Sequence, residues 1–208
     1  MNQLPFIISI GRQYGCGGRE IGMAISKALE FAYYDKELLT LAAKESGFNP
    51  ELFENADEKP HRNFFFNLTD GLFSGNYLYD NYLSNDTLFK IQSDAIHKLA
   101  KEKSCVIVGR CSDYVLRDNP NCVSIFLHSS MEDRIKRVCD RQQIDRTKAV
   151  ELIRQMDRRR AGYYNYYSSK VWGQADTYML SVNVSALGET ETVNFILSFI
   201  KKLQYFSI

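Results

Sequence analysis

The chain lacks most of what would point to a membrane, a secretory route or a metal. No apolar run approaches the roughly 20 residues that cross a bilayer. No basic region followed by a long apolar stretch opens the chain, so a signal peptide is not expected. The five cysteines, at 16, 105, 111, 122 and 139, include no C-x-x-C pair. An odd number leaves one unpaired in any disulfide scheme, and buried thiols in a reducing cytoplasm are the expectation. His61, His97 and His128 stand far apart without ligand spacing, so no protein metal site is expected. An excess of one charge is missing too. Lys and Arg number 26 against 25 Asp and Glu, and a net charge of +1 sets up no field for nucleic acid or a membrane surface. Internal repeats, low-complexity tracts and linkers are also absent from the sequence. What remains, at 208 residues with 45% hydrophobic and 25% charged, is one globular domain over 1–208 with a substantial core.

The most informative stretch present is FIISIGRQYGCGGREIG, residues 6–22. An apolar run breaks into glycines and restarts as an amphipathic helix. Such a turn aims several backbone N–H groups, and the positive end of the helix dipole, at one point. A phosphate is the natural occupant. Gly15, Gly17 and Gly18 let the backbone approach an anion without Cβ clashes.

Two phosphate motifs nearly fit this loop. The P-loop pattern G-x-x-x-x-G-K-[ST] uses its lysine to neutralise phosphate charge and its hydroxyl to hold magnesium. Matched to it, Arg12 takes the place of the first glycine and Gly18 that of the lysine; Arg19 and Glu20 follow where hydroxyls are expected. The dinucleotide pattern G-x-G-x-x-G fits Gly15 and Gly17, then meets Glu20. Asp35 lies about where that pattern wants its ribose acid.

Short apolar runs alternate with longer periodic ones. Strands are expected at 6–10, 31–34, 104–109, 122–127 and 178–183. Helices are expected near 18–30, 36–47, 86–102, 131–143, 146–166 and 189–203. Val106–Val108 and Val123–Leu127 lack polar alternation, which suits strands buried on both faces. The alternation implies a parallel sheet covered on both sides. Two segments interrupt it. Residues 48–85, rich in Phe, Tyr, Asn and Asp, read as a substrate-side insertion, with an aromatic dimer surface or a packing satellite as the alternative. Residues 154–177, with RQMDRRRAGYYNYYSSKVWG, read as a cationic lid. The helix with Arg134, Arg137 and Arg141 mixes its charges with Asp133 and Asp140 and reads as solvated surface.

Four segments together resemble the nucleoside monophosphate kinases, and among them the cytidylate-kinase-like family. They are IGRQYGCGGREIG with YYDKELL, VIVGRCSDYVL, VSIFLHSSMEDRIKRV, and DRRRAGYYNYY with KVWG. With the closing strand and helix, the likeness covers nearly the whole chain. It implies an α/β, three-layer P-loop NTPase fold: a five-stranded parallel sheet, a helical NMP-binding insertion and a short lid. It implies transfer of a phosphoryl group from ATP to a nucleoside monophosphate such as CMP, with Mg2+ carried by the nucleotide. By the same resemblance, Gly15, Cys16, Gly17 and Gly18 form the phosphate loop, without its lysine. Asp35 matches an acid that contacts the substrate nucleoside. Gly109-Arg110 matches a glycine-arginine pair whose arginine meets the acceptor phosphate, and Asp113 lies near the acid that follows. Arg158 and Arg159 match lid arginines that clamp phosphates, while Arg160 stands where the pattern has an Asp.

Physical chemistry supports several of these positions separately. Arg110 follows a buried strand and so emerges at the sheet's carboxyl edge, where ligands bind; a salt bridge to Asp113 is the alternative. Asp35 ends a short strand at the same edge, and also suits an N-cap for the following helix. Arg12 and Arg19 are the nearest substitutes for the missing lysine, and Arg19 on the first helical turn is preferred. The expected function is therefore a P-loop kinase, with catalysis by Arg19, Arg158 and Arg159. Arg12, Gly15, Cys16, Gly17, Gly18, Arg19 and Glu20 would bind nucleotide, and Asp35, Arg110 and Asp113 the acceptor. The competing reading is a nucleotide-binding module that acts through a partner or a homodimer. A dinucleotide-dependent oxidoreductase lacks its third glycine and leaves the lid unexplained.

Overall fold

The IISIGR run carries one small polar residue, Ser9, before its terminal arginine, and it becomes the central strand β1 (Ile7–Arg12), with Ile7, Ile8 and Ile10 fully buried. The structure is a computed structural model that describes residues 5–35 and 85–206. Strands β2 (Ala32–Tyr34), β3 (Cys105–Val108), β4 (Cys122–His128) and β5 (Leu180–Asn183) complete one sheet in the order β2-β3-β1-β4-β5. Every pairing is parallel. The register aligns Ile8 with Val106 on one side and Val123 on the other. All five expected strands form, within two residues of the expected ends.

The α-helices of the described residues are α1 (Gly18–Leu29), α2 (Asn85–Glu102), α3 (Ser112–Val115), α4 (Met131–Gln142), α5 (Arg146–Ser168) and α6 (Val184–Phe206). Alternate strand residues choose between two helical layers. Ile8, Ile10, Val106, Val108 and Ile125 pack with Ile21 and Ile25 of α1 and Ile196 and Ile200 of α6. Ile7, Cys105 and Ile107 pack with Ile96 and Leu99 of α2 and Val115 of α3 on the other face. The architecture is thus α/β in three layers.

Local signals explain the helix ends. Ser130 caps α4 by accepting from the Asp133 N–H at 3.2 Å, and Asp145 caps α5 by accepting from the Lys148 N–H at 2.9 Å. Helix α6 kinks at Gly188 (φ 77°), so the expected start at 189 marks the kink and not the first turn at Val184. Helix α3 was not expected. The expected helix at 36–47, and all but the last residue of the 48–85 insertion, lie outside the described residues.

Helix α5 is continuous across the first half of the expected lid, 154–177, and it is docked. Its early part packs on α4 through Ile135, Val138, Ala149 and Ile153. Its late part meets α2 through an aromatic seam. Phe89 stacks on Tyr167 at 3.9 Å, and the Tyr163 hydroxyl donates to Gln92 at 3.0 Å.

Candidate active site

Strand β1 delivers the glycine-rich loop at its carboxyl end. Gly15 and Gly17 take left-handed φ values of 80° and 84°, and Gly17 is the N-cap of α1. Having no side chain, Gly17 leaves the N–H groups of the first turn uncapped from within. A Cβ at Gly17 would stand 2.9 Å from a Glu189 carboxylate oxygen, and one at Gly15 would stand 2.9 Å from Val138 Cγ2. Cys16 is fully buried, its Sγ 3.5 Å from the Leu127 carbonyl. Burial pushes that thiol's pKa up, so it packs as a neutral group.

The back of the loop is held by α4, which corrects the reading of its arginines as solvated surface. Arg137 donates to the Gly15 carbonyl at 2.8 Å and pairs with Glu189 at 2.9 Å. Arg134 is buried and pairs with Asp157 of α5, whose other oxygen accepts from the Tyr14 N–H at 2.8 Å. The Arg141 guanidinium lies 5.3 Å from the centre of the Tyr14 ring. Charges spaced i, i+3 and i+4 share one face, and here that face meets the loop.

A small cavity of about 30 Å³ opens beside the loop at the carboxyl ends of β1 and β3. Arg12, Arg110 and Arg160 line it, with Asp113, Tyr164 and Trp172. Gly109, Arg110 and Cys111 are three successive left-handed residues, with φ of 86°, 61° and 53°. Two of these are not glycine, a costly backbone that concentrates at functional sites. It turns Arg110 back under the sheet edge, where the residue is only 6% exposed. Burial, and then the neighbouring Arg12, lower the Arg110 pKa to about 10. Asp113 accepts from the Tyr164 hydroxyl at 2.6 Å, and burial raises its carboxyl pKa. Arg12 reaches Asp35 at 3.8 Å, and Arg160 donates to the Arg12 carbonyl at 3.1 Å.

The pattern that runs through these elements decides the kinship: the cytidylate kinase-like family matches residues 7–186. The chain belongs to that family. No curated protein sequence matches it. Among solved structures, this cytidylate kinase-like chain is similar to an uncharacterized protein from Eubacterium ventriosum. Identity there is 26%, over 94% of this chain and 98% of that one, with a TM-score of 0.71. A gluconokinase from Sinorhizobium meliloti shares the fold at 14% identity, covering 99% of each chain with a TM-score of 0.55. A shikimate kinase from Bacteroides thetaiotaomicron does so at 15%, covering 97% of each with a TM-score of 0.52. The fold is that of the P-loop kinases.

Within this cytidylate kinase-like site, the expected residues divide into two groups. Arg12, Gly18, Asp35, Arg110 and Asp113 converge at one sheet edge. Arg19 and Glu20 are exposed on the first turn of α1. Arg158 is exposed on α5 and Arg159 half-buried. Arg160 lines the cavity where the resemblance has an Asp, and sequence reasoning did not place it in the site. The signal available was helical phase: Arg160 shares a face with Tyr163 and Tyr164. No described helix is long and apolar enough to cross a membrane.

The Arg134–Asp157 pair makes a stability prediction. Their side chains are 6% and 18% exposed. Arg134→Ala leaves a half-buried carboxylate beside the loop, and stranding such a charge costs about 3 kcal/mol. In a protein of this size that lowers the melting temperature by roughly 6–12 °C. Asp157→Asn should lose about as much, because an amide oxygen kept for Tyr14 turns the NH2 toward the buried Arg134 guanidinium and leaves that cation unpaired. Equal melting of Arg134→Ala and the parent would show that the pair does not hold the loop.

Proposed function

We propose that the protein is a kinase that transfers the γ-phosphoryl group of ATP to a small acceptor that already bears a phosphate, a nucleoside monophosphate such as CMP. One observation carries this reading: Arg12, Arg110 and Arg160 line a single cavity next to the glycine loop. With Arg12 beside Asp35, the three guanidinium groups still give the cavity a cationic lining. A phosphate dianion suits their planar, multiple donors.

The chemistry then needs little from the protein beyond position and charge. An oxygen of the acceptor phosphate bonds to the γ-phosphorus as the bond from that phosphorus to the bridging oxygen breaks, and ADP departs. A phosphate oxygen is already deprotonated, so no general base is required. Arg110 would hold the acceptor phosphate, Asp35 and Asp113 the rest of the acceptor. Loop N–H groups over Gly15–Glu20 would hold the triphosphate. Arg158 and Arg159 would add charge around the transferring group. The residues present fit magnesium only as a passenger. Position 19 is Arg in place of the P-loop hydroxyl. The described residues contain no group of three or more His, Cys, Asp and Glu side chains able to hold an ion. The metal would arrive on the phosphates and take at most one carboxylate, from Glu20, Asp35 or Asp113. A cytoplasmic site of action belongs to the same proposal.

Gly18 in the lysine position favours a second reading, a nucleotide-binding module without turnover that acts through a partner or homodimer. A panel separates the two. ATP with magnesium is offered with each common nucleoside monophosphate, and melting temperature and ADP release are followed. The kinase reading expects stabilisation by ATP and ADP release with one or a few acceptors. Stabilisation by ATP with no ADP release for any acceptor supports the binding module.

A further inference from the structure

We propose that the two departures from the P-loop pattern are one reciprocal exchange, in which Arg12 has taken over the space and the task of the missing lysine. The inference rests on the kinase reading above. In the sequence the departures look independent: an arginine where the first glycine belongs, and a glycine six residues later where the lysine belongs. In the structure they touch. A Cβ built on Gly18 would stand 2.9 Å from both Cβ and Cγ of Arg12. The first is fixed by the backbone, and the second moves only by a change of χ1 rotamer. The opening stretch of a lysine at 18 is therefore filled by Arg12.

The path of Arg12 supports the task as well as the space. Its side chain leaves the last residue of β1, passes Gly18, and ends against Gly109 at the carboxyl end of β3. A Cβ at Gly109 would run into its guanidinium. The guanidinium thus lies between the cradle of Gly15–Gly18 and the cavity of Arg110 and Arg160. This is the line along which a phosphoryl group must travel from donor to acceptor. Asp35 stands 3.8 Å from Arg12 Nη2, and the two side chains are 13% and 12% exposed. A cation partly desolvated and tethered in this way is preorganised, and so is worth more to developing phosphoryl charge than a free one. The three glycines have a shared logic: Gly17 opens the cradle, while Gly18 and Gly109 clear the course of Arg12. Arg19, exposed on α1, is displaced from the role the sequence offered it.

The test uses the full chain and four variants: Arg12→Ala, Arg12→Lys, Gly18→Lys, and the double Arg12→Gly/Gly18→Lys, which restores G-x-x-x-x-G-K. Calorimetric titration with magnesium-ATP and magnesium-ADP is run beside thermal melting. Arg12→Ala should weaken ATP about 100-fold, the scale of one lost preorganised contact. ADP should weaken at least 10-fold less, because the γ-phosphate is the extra charge served. Arg12→Lys should keep part of the preference for ATP. Gly18→Lys alone should melt lower and bind ATP poorly, since two side chains share one space. The double variant should recover ATP affinity to within about 10-fold of the parent, which no merely structural role of Arg12 would produce. If the parent binds ATP and Arg12→Ala keeps the same ATP-to-ADP preference, the exchange is refuted and the kinase reading stands. A double variant no better than Gly18→Lys refutes it also. A parent that binds neither nucleotide removes the kinase reading, and this inference with it.

Discussion

Gly17→Val will abolish triphosphate binding while leaving a folded protein. Gly17 sits at the N-cap of α1 with φ of 84°. A β-branched residue there carries backbone strain of about 1–3 kcal/mol. Its Cβ would meet a Glu189 carboxylate, the far end of a side chain 42% exposed, which can shift at the cost of its ion pair with Arg137. The sheet and both helical layers are untouched, so a drop of a few degrees in melting temperature is the expected structural effect. The valine methyl groups would then stand over the N–H groups that face the anion, and affinity for magnesium-ATP should fall more than about 100-fold. Gly15→Val is a useful contrast. Its Cβ meets Val138 and the Arg134 backbone, which cannot move aside, so it should lose stability before it loses selectivity. Unchanged ATP affinity in Gly17→Val would place the triphosphate elsewhere.

Arg110→Ala should separate the two substrates. The residue is buried beside the cavity, and loss of such a charged contact costs about 3–4 kcal/mol, or ~100- to 1000-fold. That loss should fall on the acceptor found by the nucleotide panel, with ATP affinity changed only a few-fold. A pH profile gives an independent signature. Burial has lowered the Arg110 pKa to about 10. A cation with a depressed pKa keeps its charge below that value and loses it as pH rises through it. Acceptor affinity should therefore fall as pH rises through about 10, on a limb that Arg110→Ala lacks. Bound phosphate favours the charged form, so the limb should lie higher in the complex. The buried cation disfavours the folded state at neutral pH, and losing it offsets the packing lost on truncation, so melting should change little. Equal weakening for donor and acceptor would remove Arg110 from the acceptor side.

The frame of the protein was legible because burial on two faces writes a plain signal. Val106–Val108 and Val123–Leu127 could hardly be anything but interior strands, and the glycine break after β1 marked the loop. Arg110 was legible because the carboxyl end of a buried strand has only one place to emerge. The rest failed for specific reasons. Helix phase is fixed by packing, so the sequence could not tell that α4 turns Arg134 and Arg137 toward the loop and not toward water. Arg160 was obscured because the family pattern puts an Asp there. Left-handed backbone at Arg110 and Cys111 leaves no trace in residue type, and with it went the short helix α3. The contact of Arg12 with Gly18 depends on the course of a long side chain, which spacing does not encode.

Helix α5 has one further consequence. It is a rod of 23 residues, roughly 34 Å long at 1.5 Å per residue. Near its middle it grips the loop, through Asp157 on Tyr14 and Arg160 on the Arg12 carbonyl. Two turns later it is seamed to α2 through Tyr163 and Tyr167. No joint separates these grips. A ligand that shifts the seam must therefore strain or relieve the loop, and one that tightens the loop must pull on the seam. Linkage makes the effect mutual: whatever factor one substrate applies to the other's affinity is returned in equal measure. On the proposed kinase reading, donor and acceptor would answer to one lever.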